Sequence, residues 1–352
     1  MPLLARMLLS PLFIDIRAGA VTGLGELLSD RRISSEGHVA VAVGPGQGEQ
    51  LVGQIGPALD NADIFAVSGG SLDAAGELQA RLRGKHYDAL VGIGGGRTLD
   101  VAKYAATRSA LPMVSVATNL AHDGIASPVS SLLHEGGKGS FGVSLPIAVV
   151  VDLDFVRTSP PRMVRSGIGD VVSNLSALDD WRLAHDERGE PLDGLADTFA
   201  RTAADAILHR TDGIDSDWFL TALAESLVLS GMAMAAAGSS RPCSGADHEI
   251  LHAVDVLFPG AGNHGELAGV GALYTFYLRG DERSATLVDD CLRRHELPRV
   301  PADLGLSAEQ FTEAVLLAPS TRPDRYTILE HLDLDPPATR ARVDEFVATY
   351  GD

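Results

Sequence analysis

Along the first 150 residues, short runs of apolar and β-branched positions alternate with stretches whose apolar residues recur at helical spacing. His38–Val43 (HVAVAV), Asp63–Val67 (DIFAV), Asp88–Ile93 (DALVGI), Met113–Ala117 (MVSVA) and Ile147–Val151 (IAVVV) read as buried strands, preceded by a lead-in strand over Leu12–Ile16. Helices are predicted over Glu49–Leu59, over Leu72–Arg83 with Ser71 in the N-cap signal, and over Thr98–Ala106. This alternation predicts a parallel sheet covered on both faces, with ligands bound beyond the carboxyl ends of its strands. Those ends carry GPGQG (44–48), SGGS (68–71), GGGR (94–97) and TNLAHDG (118–124), all rich in glycine or small polar residues.

From about Pro160 the strand runs stop and long helical patterns follow, over Gly169–Ala184, Asp217–Ala237, His248–Leu257, Glu266–Leu278 and Arg340–Tyr350. DFVRTSPP (154–161) has linker chemistry. A chain of 352 residues exceeds one ordinary hydrophobic core. The expectation is therefore an α/β N-terminal domain over 1–156 and an all-α C-terminal domain over 157–352.

Net charge is −19, which opposes binding to nucleic acid or an anionic membrane. The only lysines are Lys85, Lys103 and Lys138, so arginine must supply most of the positive charge for any anionic ligand. Two cysteines, Cys243 and Cys291, are too few for a disulfide framework or a cysteine-based zinc site and fit a reducing compartment. The N-terminal apolar stretch is broken by Arg6, Pro11 and Asp15, unlike a signal peptide, and no run reads as a membrane span. A cytoplasmic protein without membrane insertion is expected.

The chemistry concentrates in four segments. Gly94-Gly95-Gly96-Arg97-Thr98-Leu99-Asp100 lies between a strand and a helix, where glycines admit a phosphate to backbone N–H groups; a tight turn alone would use the same residues. His248 and His252 are four apart on one helix face, and His264 follows at the mouth of the next helix. Three histidines so grouped suit a metal that takes neutral imidazole, whereas single histidines would simply pack or cap. Asp170, in GIGDVVSN (167–174), reads by itself as either an N-cap or an anionic ligand from another helix. The loop HDGIASP (122–128) follows a strand, where substrate or cofactor contacts belong.

Taken together, GGGRTLDVAKYA (94–105), TNLAHDGIASPVSSL (118–132), GIGDVVSNLSALDDW (167–181), SSRPCSGADHEILHAVD (239–255), HGELAGVGALY (264–274) and RPDRYTILEHL (322–332) resemble the metal-dependent alcohol dehydrogenase and dehydroquinate synthase superfamily. Within it they are most similar to the sn-glycerol-1-phosphate dehydrogenase branch. The resemblance implies a Rossmann-like N-terminal domain, a helical C-terminal domain of the dehydroquinate synthase-like kind, and an active site in the cleft between them. It implies one divalent metal, zinc first and nickel or iron(II) as alternatives, on Asp170, His248 and His264. It takes His252 out of the ligand set and assigns it, with Asp123, to substrate and catalysis. NAD(H) or NADP(H) would meet Gly94, Gly95, Gly96, Arg97, Thr98, Leu99, Asp100, Thr118, Asn119, Leu120, Ala121 and Ser127. The GPGQG loop lacks an acid that would repel a 2′-phosphate, so NADPH should be accepted.

The implied reaction is reversible reduction of dihydroxyacetone phosphate to sn-glycerol 1-phosphate by a homodimer. Arg241, seven positions before His248, is the first candidate for the substrate's phosphate, and Lys138, in a glycine-rich loop, is the second. A sugar-phosphate cyclase of the dehydroquinate synthase type, or a dehydrogenase of the same fold acting on another small hydroxy compound, would carry the same residues.

Overall fold

The computed structural model describes residues 9–34, 37–59, 61–135 and 137–351. The start of the N-terminal apolar stretch, with Arg6, lies outside them. The chain forms two compact units. One comprises the residues up to Asn119, Gly124–Thr158 and Gly231–Ser239; the other comprises Leu120–Asp123, Ser159–Ser230 and Ser240–Asp352.

The first unit holds β1 (Phe13–Arg17), α1 (Leu24–Leu28), β2 (Val39–Val43), α2 (Gln47–Ile55), β3 (Ala62–Ala66), α3 (Leu72–Leu82), β4 (Ala89–Gly94), α4 (Gly96–Arg108), β5 (Met113–Ala117), β6 (Val129–His134), β7 (Gly137–Gly142), β8 (Ala148–Asp152) and α5 (Leu153–Thr158). Six strands form one parallel sheet in the order β1-β8-β5-β4-β2-β3. The four central strands are buried at every position, which is why they read as unbroken apolar runs. The edge strands β1 and β3 are only partly covered, and Ile14 and Ile64 stand exposed on them.

Two sequence expectations are corrected here. Strands β6 and β7 pair antiparallel, so Lys138 lies exposed on a strand rather than in a loop. VSSLLH and GKGSFG lack the apolar alternation that betrays a strand. The segment 154–161, expected as a linker, is mostly helix α5, with a break at Ser159 and Pro160.

The second unit is built from α6 (Pro161–Arg188), α7 (Gly194–Leu208), α8 (Asp217–Ala237, whose last turns belong to the first unit), α9 (Ala246–Leu257), α10 (His264–Arg279), α11 (Glu282–Arg294), α12 (Ala308–Thr321), α13 (Ile328–Leu332) and α14 (Pro336–Tyr350). Helix α6 starts with Pro161 in its first turn, where the missing N–H costs nothing, and ends at Gly189 in the left-handed conformation. It packs along α10, which packs along α9. Over α8, 21 residues with a mean hydropathy of 1.6 in the most apolar window, the chain is long and apolar enough to cross a membrane, contrary to the sequence reading. In the fold, 61% of that window is buried, as a core helix requires.

Candidate active site

Asp170 sits well inside α6, so the N-cap reading of it is corrected. What brings it to the histidines is the absence of side chains between α6 and α10. A Cβ on Gly265 would lie 1.6 Å from the carbonyl oxygen of Ser166, and one on Gly169 would lie 2.1 Å from that of Gly265. Only glycine at these two positions lets the backbones approach this closely. The Arg162 guanidinium fixes the same contact from outside, pairing with both Glu266 oxygens at 2.6 and 2.7 Å. Glu266 in turn accepts the Asn263 N–H at 2.7 Å, which sets the start of α10 and hence His264.

The resulting cluster is compact. Nε2 of His264 lies 3.3 Å from Oδ1 of Asp170 and 3.3 Å from Nε2 of His248, and His248 Nε2 lies 3.8 Å from the same Asp170 oxygen. A tetrahedral ion with bonds of about 2.0–2.2 Å sets its ligand atoms roughly 3.3–3.6 Å apart. The three donors fit one such ion, and they form the one such group of ligating side chains among the described residues. Asp170 and His248 are buried, and His264 is partly open.

Each donor is held by a second contact. Asp170 accepts the Asp123 backbone N–H on Oδ2 at 2.8 Å, which leaves Oδ1 toward the histidines. Nδ1 of His248 lies 2.6 Å from Oδ2 of Asp247, so the proton sits on Nδ1 and the Nε2 lone pair faces the cluster. Burial alone would raise the Asp170 pKa, but the hydrogen bond and charge of His264, with His248 and His122 behind it, bring it below the ordinary value. Burial likewise disfavours a charged His248, and the Asp247 carboxylate outweighs it, raising that pKa.

His252 is one turn further along α9, its ring 6.5 Å from that of His248. The ring does not reach the cluster. Its Nε2 accepts from Arg322 at 3.0 Å. Asp123 stands in a short 3-10 turn, and the His122 ring lies 5.4 Å from that of His264.

In the first unit, the loops after β2 and β4 and the residues after β5 meet at one end of the sheet. Gly44 N–H donates to the Ile93 carbonyl at 3.0 Å and Thr118 N–H to that of Gly94 at 3.1 Å. A Cβ on Gly95 would lie 2.6 Å from the Asn119 amide nitrogen, so a side chain there would displace the Asn119 amide. Helix α4 begins at Gly96, and no side chain caps its first N–H groups. Uncapped donors on a glycine cradle suit the pyrophosphate of a dinucleotide. Arg97 stands exposed beside them, whereas Thr98 is buried.

Several expected contacts are narrowed by burial. Leu99 and Leu120 are wholly enclosed. Asp100 pairs with the buried Lys103 at 3.0 Å, and Lys103 also donates to the Ser127 carbonyl and hydroxyl, both at 3.3 Å. The Ala121 carbonyl accepts from Ser166 at 2.8 Å, and Leu120 and Ala121 belong to the second unit. Side-chain contacts from Leu99, Asp100, Leu120 and Ser127 to a nucleotide are therefore not supported. Arg241, the first candidate for the phosphate, has partners within the chain. It stands in a 3-10 turn, its guanidinium clasped by both oxygens of Glu190 and donating to the Tyr326 carbonyl at 3.1 Å. Sequence reasoning missed Asp247, although an acid directly beside a ligand histidine was there to be read, and it missed Arg322.

A family model described as iron-containing alcohol dehydrogenase matches residues 15–160. The chain is 38% identical over 276 residues to the glycerol-1-phosphate dehydrogenase [NAD(P)+] of Archaeoglobus fulgidus, covering 76% of this chain and 78% of that one. It is 35% identical over 325 residues to the enzyme of the same name from Hyperthermus butylicus, covering 91% and 92%. Among solved structures, a probable glycerol dehydrogenase from Sinorhizobium meliloti shares the fold, with a TM-score of 0.79, 21% identity and coverage of 98% and 99%.

Proposed function

We propose, for a chain that belongs to the glycerol-1-phosphate dehydrogenase family, that it reversibly reduces dihydroxyacetone phosphate to sn-glycerol 1-phosphate at a divalent metal, with NADH or NADPH as reductant. The observation that carries this reading is the convergence of Asp170, His248 and His264 on one ligand position. When bound, the ion would polarise the ketone C=O and the nicotinamide would supply the hydride. The donor set of one carboxylate and two imidazoles suits zinc first, and iron(II) or nickel equally in geometry.

The residues of the chain divide the remaining work. Asp170, His248 and His264 would hold the metal, and the partly open side of His264 leaves the donor set accessible to the substrate. Asp123 fixes Asp170 through its backbone and lines the same site. His252, whose Nε2 lies 3.0 Å from the Arg322 guanidinium, relays the proton that the oxygen gains as hydride reaches the carbon. The nucleotide's pyrophosphate lies on the loop Gly94–Gly96 and the first turn of α4, with Arg97, Thr118 and Asn119 at its edge. The first unit is thus the nucleotide-binding domain, and the second is the metal- and substrate-binding domain. A cytoplasmic homodimer that binds neither nucleic acid nor membrane fits the net charge of −19.

The test is oxidation of NADH and NADPH with dihydroxyacetone phosphate, before and after chelation and with zinc, iron(II) or nickel restored. Metal-dependent net oxidation is expected. Substrate consumption without net oxidation would identify a cyclase, which regenerates its nucleotide, and would reject the dehydrogenase.

A further inference from the structure

With Arg241 held by Glu190, the substrate's phosphate needs another cation in the second unit. Arg322 is placed for it. It closes α12, where a cation is favoured by the helix end, and the preceding Thr321 hydroxyl bonds the Glu249 carbonyl of α9 at 3.4 Å. Its Nη2 lies 3.0 Å from Nε2 of His252. His248 and His252 lie one turn apart on α9, and Arg322, at the end of α12, meets His252 from outside that helix. From the ketone carbon of dihydroxyacetone phosphate to its phosphorus is three single bonds, about 4 Å. A substrate whose carbonyl faces His248 and Asp170 and whose chain runs along α9 would bring its phosphate toward His252, whose ring lies 6.5 Å from that of His248, and so toward Arg322.

The surroundings favour an anion. Arg325 lies behind, donating to the Ser244 carbonyl and, at 2.9 Å, to the Ser240 hydroxyl. Burial, with the charges of Arg322 and Arg241, pushes its pKa down to about 10, and burial lowers that of Arg322. Three guanidiniums gather here in a chain that is strongly acidic as a whole. Arg241 is already neutralised by Glu190, so the positive charge that would draw a dianion is that of Arg322 and Arg325, with Glu249 nearby.

We propose that Arg322, with His252 beside it and Arg325 behind it, is the phosphate seat that makes the enzyme prefer a phosphorylated three-carbon ketone. This rests on the reading of the metal site above. Arg322 is a substrate-binding residue; Arg325 is a positioning residue that shapes the loop around Ser240 and Ser244.

The test uses the metal-loaded wild type with Arg322→Gln and Arg322→Lys. Binding of inorganic phosphate is followed by calorimetry, and KM and kcat are measured for dihydroxyacetone phosphate and for dihydroxyacetone. Arg322→Gln should weaken phosphate binding and raise KM for the phosphorylated ketone about ten- to a hundredfold, from loss of a charge-assisted hydrogen bond. The preference for the phosphorylated over the plain ketone should fall by the same factor. Arg322→Lys should lie between, because lysine cannot pair bidentately; it carries the test if the Gln variant does not fold. Variants that bind phosphate like wild type and keep its preference overturn the seat. A wild type that binds phosphate through Arg322 yet does not reduce dihydroxyacetone phosphate would leave the seat standing and overturn the proposed reaction.

Discussion

Oδ2 of Asp247 lies 2.6 Å from Nδ1 of His248, its neighbour in sequence, and both side chains are buried. The other carboxylate oxygen accepts the Gly245 N–H at 2.9 Å and the Ser176 hydroxyl at 3.3 Å, so the Asp247 carboxylate cannot turn away. A ligand imidazole fixed in this way presents one lone pair in one direction. Asp247→Ala should lower metal affinity about ten- to a hundredfold. Metal per chain after dialysis against graded chelator measures it, and wild-type retention in the variant would sink the idea.

His248 and His252 share a helix face but should separate cleanly by metal content. His248→Ala and Asp170→Ala are expected to lose the ion. His252→Ala should keep it nearly unchanged while turnover falls about a hundredfold, the usual scale for a lost proton-transfer group. Loss of metal in His252→Ala would contradict the assignment.

Gly265→Ala should be among the most damaging single methyl additions, since the new carbon would lie 1.6 Å from the Ser166 carbonyl oxygen. A cost of at least about 2 kcal/mol is expected from the overpacking. Gly53→Ala, in α2 with open space around the new carbon, should instead stabilise by about 0.5–1 kcal/mol. Denaturant melts of the two variants check both signs, and equal effects would refute the packing argument.

Asp180 should leave a mark on the pH dependence of stability. Burial raises its pKa from 3.8 to about 6, although the Arg279 guanidinium and the N–H groups of Ala246 and Ile328 all oppose the shift. The folded state therefore holds this proton more tightly than the unfolded chain does. Its contribution to stability is fully present below pH 3.8 and is lost as pH rises to about 6. The melting temperature of wild type minus that of Asp180→Asn should fall across that window and level off above it. A constant difference would show that Asp180 titrates normally.

Much of the frame was legible because local pattern and burial agree. The central strands lie fully inside, so their apolar runs are unbroken, and Ser71 caps α3 by accepting the Ala74 N–H at 3.1 Å, as its position suggested. Where tertiary partners decide, the sequence was silent. The first turns of α6 contain Arg162 and Arg165, which interrupt the apolar period but pair with Glu266 and Glu296 far along the chain. The helix therefore starts at Pro161, eight residues before the Gly169 that periodicity suggested. Arg241 looked available because Glu190 lies 51 positions away. The spacing of His248 and His264 was visible, but nothing in spacing foretold that glycines 169 and 265 would draw Asp170 to them.

The place of β1 in the sheet has a consequence for the order in which the chain can fold. Phe13 pairs with Ala148, and among the described residues β1 has no other neighbour strand. Asp152 then locks the join by accepting the N–H groups of Gly19 and Val21, each at 3.1 Å. During synthesis at about 5–20 residues per second, β1 must wait roughly ten seconds for β8 to be made. A strand made well before its partner thus stays unpaired while the intervening residues, roughly 130, are added, with its apolar residues and backbone N–H and C=O groups uncovered.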